Sequence, residues 1–145
     1  MRLLVTGGRD YSDFQALCTI LDQTHQATPV TLLIHGGARG ADYLAGAWAA
    51  LRQIPVRVFP ANWDLHGKAA GHIRNQQMLT EGYPDAYLAF PGGRGTADMV
   101  SRCRKQGIKD ILQKDAQHLD FSSVLIYSST ETGGHYRPLS QRNTR

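Results

Sequence analysis

The stretch "AYLAFPGGRGTADM", residues 86–99, is the part of the sequence on which the fold prediction rests. An apolar run typical of a buried strand ends at Pro91, and a turn with two glycines follows. Residues 96–106 then show the apolar spacing of an amphipathic helix. The stretch therefore predicts one strand, one glycine-rich loop and one helix in succession.

The same succession precedes this stretch three times. Strands are predicted at "RLLVTGG" (2–8), "TLLIHGG" (31–37) and "VRVF" (56–59), and helices at the Phe14, Leu17, Ile20, Leu21 pattern, at 40–53 and at 69–81. Strands that alternate with helices form a parallel sheet covered on both faces. We therefore predict an α/β fold, a single Rossmann-like three-layer sandwich with a mostly parallel sheet. "VLIYSS" (124–129) predicts a further strand, whereas 108–121 fits no single element.

Length and charge bound the domain organisation and the partners. A chain of 145 residues fits one domain, which we place at 1–130, followed by a polar basic tail over 131–145 with a composition typical of disorder. The net charge is +4, but residues 133–145 hold three arginines and no acid, which leaves 13 basic and 12 acidic side chains. This nearly neutral remainder makes nucleic acid an unlikely partner.

Three sequence features bear on compartment and cofactors. Cys18 and Cys103 lie in helical patterns without metal-ligand spacing, and His25, His118 and His135 show none either, so we predict reduced thiols and no metal or other cofactor. The apolar run at the N-terminus reaches Gly7 at once, too short for a signal sequence or a membrane span. We expect a cytoplasmic protein without a membrane partner.

Three of the predicted strands end in a double glycine with an arginine close behind. These loops are "TGGRD" (6–10), "HGGARGAD" (35–42) and "PGGRGTAD" (91–98). Because the carboxyl ends of parallel strands share one edge of the sheet, where open α/β folds bind ligands, the three loops are predicted to converge on one pocket. None matches the Walker or the dinucleotide fingerprint, so neither ATP hydrolysis of that kind nor NAD binding is indicated.

Glycine loops before helix N-termini favour phosphate. Glycine lets a ligand approach the backbone, unpaired N–H groups and the helix dipole attract an anion, and an arginine fork matches two phosphate oxygens. The alternative is that the glycines only permit tight turns and that the arginines are solvated. The predicted ligand-binding residues are Gly7, Gly8, Arg9, Gly36, Gly37, Arg39, Asp42, Arg74, Asn75, Pro91, Gly92, Gly93, Arg94, Gly95 and Thr96.

The segment "NWDLHGKAAGHIRNQQML" (62–79) places Lys68, His72 and Arg74 around the start of a predicted helix. Cations are unfavourable there, and a bound anion would offset that cost. Trp63 is either a base-stacking surface or a partly buried core aromatic. Asp42 and Asp98 each fall in a first helical turn, where the dipole favours a carboxylate in any case, although either could accept a ribose hydroxyl.

The motifs "VTGGRDY", "HGGARGAD", "PANW", "HGKAAGHIRNQQML" and "FPGGRGTADM" occur in this order, and over residues 1–108 the chain resembles the SLOG superfamily, in its YspA/YpsA-related branch. That superfamily has a LOG/DprA-like Rossmann fold. The resemblance implies a pocket for a phosphorylated nucleoside or a nucleotide-derived, ADP-ribose-like ligand, in a sensor or sequestering protein. It also implies a homodimer.

The resemblance leaves two alternatives open. LOG phosphoribohydrolases carry Pro-Gly-Gly-x-Gly-Thr-x-x-Glu with a glutamate needed for cleavage, and Met99 stands at that position here. A LOG-like nucleoside 5'-monophosphate phosphoribohydrolase would then depend on Arg74 and Asp98 as its catalytic candidates. The second alternative is single-stranded nucleic-acid binding as in DprA, against which the near-neutral domain argues.

Overall fold

The computed structural model describes residues 1–114, 125–127 and 136–138. The strands are β1 Arg2–Thr6, β2 Leu32–His35, β3 Val56–Val58, β4 Ala86–Ala89, β5 Lys109–Asp110, β6 Leu125–Tyr127 and β7 Tyr136–Pro138. The helices are α1 Phe14–Ala27, α2 Ala41–Leu51, α3 Trp63–His66, α4 Ala70–Thr80, α5 Arg94–Lys105 and α6 Ile111–Lys114, with a 3₁₀ turn at Gly67–Ala69.

Five strands form one parallel sheet in the order β3-β2-β1-β4-β5. β1 is central, with Leu4 beside Ile34 of β2 on one side and beside Tyr87 of β4 on the other. The strand order reverses between β1 and β4, because the chain first adds strands on one side of β1 and then on the other. Ligands of open α/β folds bind outside the strand ends at such a switch point.

The central strands β1, β2 and β4 are buried on both faces, which makes the fold a three-layer sandwich as predicted. Along β1, Leu3 and Val5 pack with the apolar sides of α1 and α2, whereas Leu4 faces Met78 of α4 and Met99 of α5. Alternate residues of a strand point to opposite faces, so one run of apolar residues supplies both cores. Each of these side chains is at most 2% exposed.

The predicted elements agree with the observed ones within two residues at most helix ends. Helix α5 begins at Arg94 rather than 96, and α4 covers 70–80 rather than 69–81. The ambiguous segment 108–121 contributes the short strand β5 and the single turn α6. Strand β6 lies inside the predicted 124–129 and pairs antiparallel with β7. Of the predicted tail 131–145, all but β7 lies outside the described residues, and the domain boundary stays a prediction.

A helix that crosses a membrane needs about 20 mostly apolar residues. Among the helices of the described residues, none is both long and apolar enough to cross a membrane.

Candidate functional site

A cleft opens at the carboxyl ends of β1, β2 and β4. It consists of a main lobe of about 400 Å³ and an adjoining side lobe of about 270 Å³. The residues that line both lobes are Arg9, Ala38, Trp63 and Arg74. The three glycine loops all contribute to this cleft, so the structure brings together what the strand ends predict.

Most of the predicted ligand-binding residues line one lobe or the other. The main lobe is lined by Gly7, Gly8, Arg9, Asp42, Arg74, Asn75, Gly93, Arg94, Gly95 and Thr96, and the side lobe by Arg9, Gly36, Gly37, Arg39 and Arg74. Pro91, Gly92 and Asp98 line neither lobe. The buried Pro91 instead accepts a hydrogen bond from the Gly8 N–H at 2.8 Å, which ties the first loop to the third.

The glycines of the cleft differ in what a side chain would meet. A Cβ at Gly7 would lie 2.9 Å from Phe90 Cβ, and one at Gly8 would lie 2.7 Å from the Pro91 carbonyl oxygen. Those two glycines are therefore required by packing. At Gly93 and Gly95, by contrast, a Cβ would have nothing within 4 Å, and neither residue has a positive φ.

The N-terminus of α5 faces the main lobe without a side-chain cap. Gly93 is the N-cap residue, and among the described residues it makes no side-chain cap hydrogen bond. Arg94 begins the helix and is exposed, whereas Thr96 is buried. The free N–H groups of a first turn carry partial positive charge, so this end of α5 attracts an anion.

Arg74 and Asp42 hold the second glycine loop from two sides. The Arg74 Nη1 donates to the Gly36 carbonyl at 2.5 Å, and Asp42 Oδ2 accepts from the N–H groups of Gly36 and Ala38 at 3.1 and 3.2 Å. The sequence predicts Arg74 to be a cation at the start of a helix, where a bound anion would be its partner. It is instead the fifth residue of α4 and half-buried, with a carbonyl partner.

Burial shapes the ionisation of these groups. It raises the pKa of Asp42 to about 6, even though the N–H groups of Ala38 and Gly36 and the charge of Arg74 favour the carboxylate. It also lowers the pKa of Arg74, an effect that Asp42 opposes and Arg9 reinforces. Asp42 is thus a 7% exposed carboxyl group on the wall of a cationic cleft.

Asp98 lies behind the main lobe in a hydrogen-bonded network between α4 and α5. It accepts from Asn75 Nδ2 at 3.0 Å and from Arg102 Nε at 2.8 Å, and His72 Nδ1 lies 3.1 Å from its other oxygen. Burial alone would raise the pKa of Asp98, but these hydrogen bonds outweigh it and lower the pKa. Asp98 therefore positions Asn75 and His72, which do line the main lobe.

The outer wall of the cleft is aromatic and cationic. Trp63 is 49% exposed, and the guanidinium carbon of Arg9 lies 5.4 Å from the centroid of its ring. Of the two alternatives for Trp63, the structure therefore favours a wall of the cleft over a core aromatic. Arg39 is exposed and pairs with Asp10 at 3.3 Å.

The main lobe is rich in positive charge. Arg9, Lys68, Arg74 and Arg94 line it, against the single carboxyl group of Asp42. Within the described part of the chain, no cluster of three or more His, Cys, Asp or Glu side chains could hold a metal ion. The arrangement therefore suits an anionic ligand held by amides and guanidinium groups.

Comparison with known proteins agrees with this geometry. The sequence model of the family described as "YAcAr: YspA, cpYpsA-related SLOG family" matches residues 1–66, from β1 to the end of α3. The chain is also 41% identical over 115 residues to the Gene 61 protein of Mycobacterium phage D29, which covers 74% of this chain and 91% of the phage protein. The chain belongs to the YspA, cpYpsA-related SLOG family. Membership supports a nucleotide-related ligand-binding role.

Within this SLOG fold, Met99 occupies the position of the LOG glutamate and points away from the cleft. It is 0% exposed and packs with Leu4, Ile34 and Tyr87 in the core beneath α5. Asp98 comes one residue earlier on the helix, about 100° around its axis. Because both Asp98 oxygens already accept hydrogen bonds, this SLOG protein does not present it as a free carboxylate to a ligand.

Sequence reasoning located the cations of the SLOG cleft only in part. It placed Lys68 and His72 at the start of a helix, and the structure shows that both are exposed and line the main lobe. It also gave no reason to expect a contact between His72 and Asp98, because these residues lie on different helices and are 26 positions apart in the chain. The spacing of four between Asp98 and Arg102 was the available signal. Because α5 begins at Arg94, Asp98 is its fifth residue and does not lie in the first turn, where the sequence predicts it.

Proposed function

We propose that this SLOG protein binds a phosphorylated nucleoside or a nucleotide-derived, ADP-ribose-like ligand, as a sensor or sequestering protein. The observation that carries the proposal is the pair Gly93 and Gly95. Packing requires neither glycine, since a Cβ at either position would have nothing within 4 Å. A ligand that packs against the backbone there is what a side chain would exclude.

The position of these glycines indicates which part of the ligand they bind. They lie at the uncapped N-terminus of α5, where backbone N–H groups and the helix dipole favour a phosphate. Arg94 and Lys68 line the same lobe and supply further positive charge. We therefore assign the phosphate to the first turn of α5.

Asp42 and Trp63 suit the rest of a nucleotide. One oxygen of Asp42 accepts from two backbone N–H groups, and the carboxyl group lines the main lobe, where it can accept a ribose hydroxyl. An acidic residue that binds ribose is a recurrent device of Rossmann-like folds. The half-exposed ring of Trp63 offers a surface for the base.

Asp42 also keeps a second function open, N-ribosidic hydrolysis of a nucleoside monophosphate. An oxocarbenium-like transition state requires a nearby anion, which neither Met99 nor the engaged Asp98 supplies. Asp42 is the carboxyl group that lines the main lobe. Binding without cleavage remains the function that the geometry supports best.

A thermal-shift screen tests the proposal. Purified protein is heated with nucleoside mono-, di- and triphosphates, ADP-ribose, its cyclic forms and NAD, and each mixture is then analysed for released base. A ligand at a hundred times its Kd stabilises the fold by about 2.7 kcal/mol. Stabilisation without base release supports the binding protein, and base release supports the hydrolase. No stabilisation by any compound would refute the proposal.

The variant Gly95→Ala separates binding from folding. Alanine has the higher helix propensity and meets no atom, so the melting temperature of the free protein should be unchanged or raised. The added methyl group should weaken nucleotide binding by about tenfold or more, since it blocks approach to the α5 backbone. Ser101→Ala, on an exposed position of the same helix, is the matched control and should bind normally.

A further inference from the structure

The two lobes of the cleft meet at a junction that has its own charge. Arg9 and Arg74 line both lobes, together with Ala38 and Trp63. Building on the proposed function, we infer that the ligand is a nucleoside diphosphate whose terminal phosphate carries a further polar group. Its diphosphate lies across the junction, the nucleoside and the second group occupy different lobes, and the first phosphate lies at α5.

The junction carries an excess of positive charge. Arg9 and Arg74 are close enough for the charge of Arg9 to lower the pKa of Arg74. Burial raises the pKa of the nearby Asp42 to about 6, so this carboxyl group is mostly ionised at pH 7 and offsets one of the two positive charges. The two guanidinium groups still leave a net positive charge that favours an anion between them.

Arg74 has N–H donors at the junction that are not used within the described part of the chain. Its Nε donates to Asn75 Oδ1 at 3.1 Å and its Nη1 to the Gly36 carbonyl. These two bonds fix the plane of the guanidinium, and within the described residues no hydrogen bond engages Nη2. A fixed guanidinium with free N–H groups at a junction is suited to a bridging phosphate.

The side lobe has the size and the lining to hold a second polar group. Ligand pockets start at about 300 Å³, so the main lobe of about 400 Å³ is sufficient for a nucleotide by itself. The side lobe adds about 270 Å³, lined by Gly36, Gly37, Pro60 and Ala61 besides the arginines, without an acidic side chain. Exposed peptide groups and arginines suit a sugar or a phosphate rather than an apolar group.

Isothermal titration calorimetry with matched series tests the inference. For each of adenosine, guanosine, cytidine and uridine, the 5'-monophosphate, the diphosphate and the diphosphate-glucose are compared, with ADP-ribose added to the adenosine series. In the series with the preferred base, the diphosphate ligand carrying a sugar should bind at least tenfold more tightly than the monophosphate.

A variant that fills only the side lobe gives the decisive comparison. Ala61→Trp should reduce the affinity for the diphosphate sugar to that of the diphosphate and leave monophosphate binding unchanged. Arg39→Ala, on the rim of the same lobe, should weaken the same ligand selectively and covers the case that Ala61→Trp does not fold. Ala50→Trp, at an exposed position of α2, is the matched control.

The outcomes distinguish the inference from the function on which it rests. Equal affinity for monophosphate and diphosphate sugar, or side-lobe variants that bind both like the wild type, would overturn the two-lobe ligand while leaving nucleotide binding intact. If no compound in any series binds, the inference and the proposed function both fail.

Discussion

Burial shifts the ionisation of Asp42, and this shift gives a pH-dependent prediction. Its pKa rises from an ordinary value near 4 to about 6, so the folded protein binds a proton more tightly than the unfolded chain between those values. The resulting stabilisation is complete below about pH 4 and is lost as the pH rises through 6. A shift of two units corresponds to at most about 3 kcal/mol.

The variant Asp42→Asn should remove this slope. Its amide oxygen can still accept from the N–H groups of Gly36 and Ala38, while the titration is absent. We expect the free energy of unfolding of the variant, relative to wild type, to increase steadily from pH 4 to pH 7. Urea unfolding at intervals of half a pH unit measures it. A constant difference across that range would show that Asp42 does not titrate there.

Met99 gives a second prediction at the residue scale. Its side chain is 0% exposed among Leu4, Ile34 and Tyr87, so a glutamate there would be buried in the core rather than placed in the cleft. Met99→Glu should therefore reduce the free energy of unfolding by several kcal/mol and produce no base release. Met99→Leu, which preserves volume, should cost less than about 1.5 kcal/mol. A stable Met99→Glu protein that cleaves nucleotides would contradict this account.

Individual site residues were predictable from sequence to different degrees. The glycines and arginines of the three loops follow strand ends, and strand ends of a parallel sheet meet, so their convergence could be foreseen. The sequence could not show that Gly8 packs against Pro91, whereas a Cβ at Gly95 would have nothing within 4 Å. This difference depends on distances across the sheet edge that local sequence does not contain.

Helix α4 supports the second glycine loop through Arg74, and this contact gives a prediction at the element scale. Removing the side chain leaves the carbonyl of Gly36 without its guanidinium partner and opens space beneath the loop. Hydrogen bonds of charged groups contribute about 1.5–3 kcal/mol. Arg74→Ala should therefore lower the free energy of unfolding by about that amount and also weaken nucleotide binding, as measured by urea unfolding and calorimetry.

The opposite face of the sheet supplies the control for Arg74→Ala. Asp22 of α1 accepts from Trp48 Nε1 of α2 at 2.8 Å, and its loss would leave that buried N–H unpaired. Asp22→Ala should be destabilised by about 1–3 kcal/mol and still bind nucleotides like the wild type below its melting temperature. If both variants lost binding equally, instability would explain the loss, and Arg74 would have no demonstrated contact with the ligand.

Most elements could be predicted because burial on one face imposes a period on the sequence. Helices α1 and α2 and strands β1, β2 and β4 carry that signal clearly. Neither α3 nor the turn at Gly67–Ala69 was predicted from the sequence. Both lack buried side chains, so no apolar period marks them. All three residues of the edge strand β3 are exposed, so pairing with β2 rather than burial defines it.

At the scale of the whole molecule, positive charge is concentrated at the main lobe of the cleft, while the net charge of the domain is small. Four basic side chains and one buried acid line the main lobe, although residues 1–132 are nearly neutral in total. A local excess of this kind suits a small anion, whereas a nucleic-acid strand needs a continuous basic path. The homodimer implied by the family resemblance stays a prediction, because its evidence would lie between chains rather than within one.

The central claim is that the first turn of α5 binds the phosphate of a nucleotide, and amide NMR tests it most directly. Labelled protein is titrated with the nucleotide that stabilises it most, and the backbone N–H resonances of Gly93, Arg94 and Gly95 are followed. We predict large, saturable shifts of these three signals, with that of Ser101 unmoved. Binding that leaves the α5 first turn unshifted, or no nucleotide that shifts it, would contradict the account.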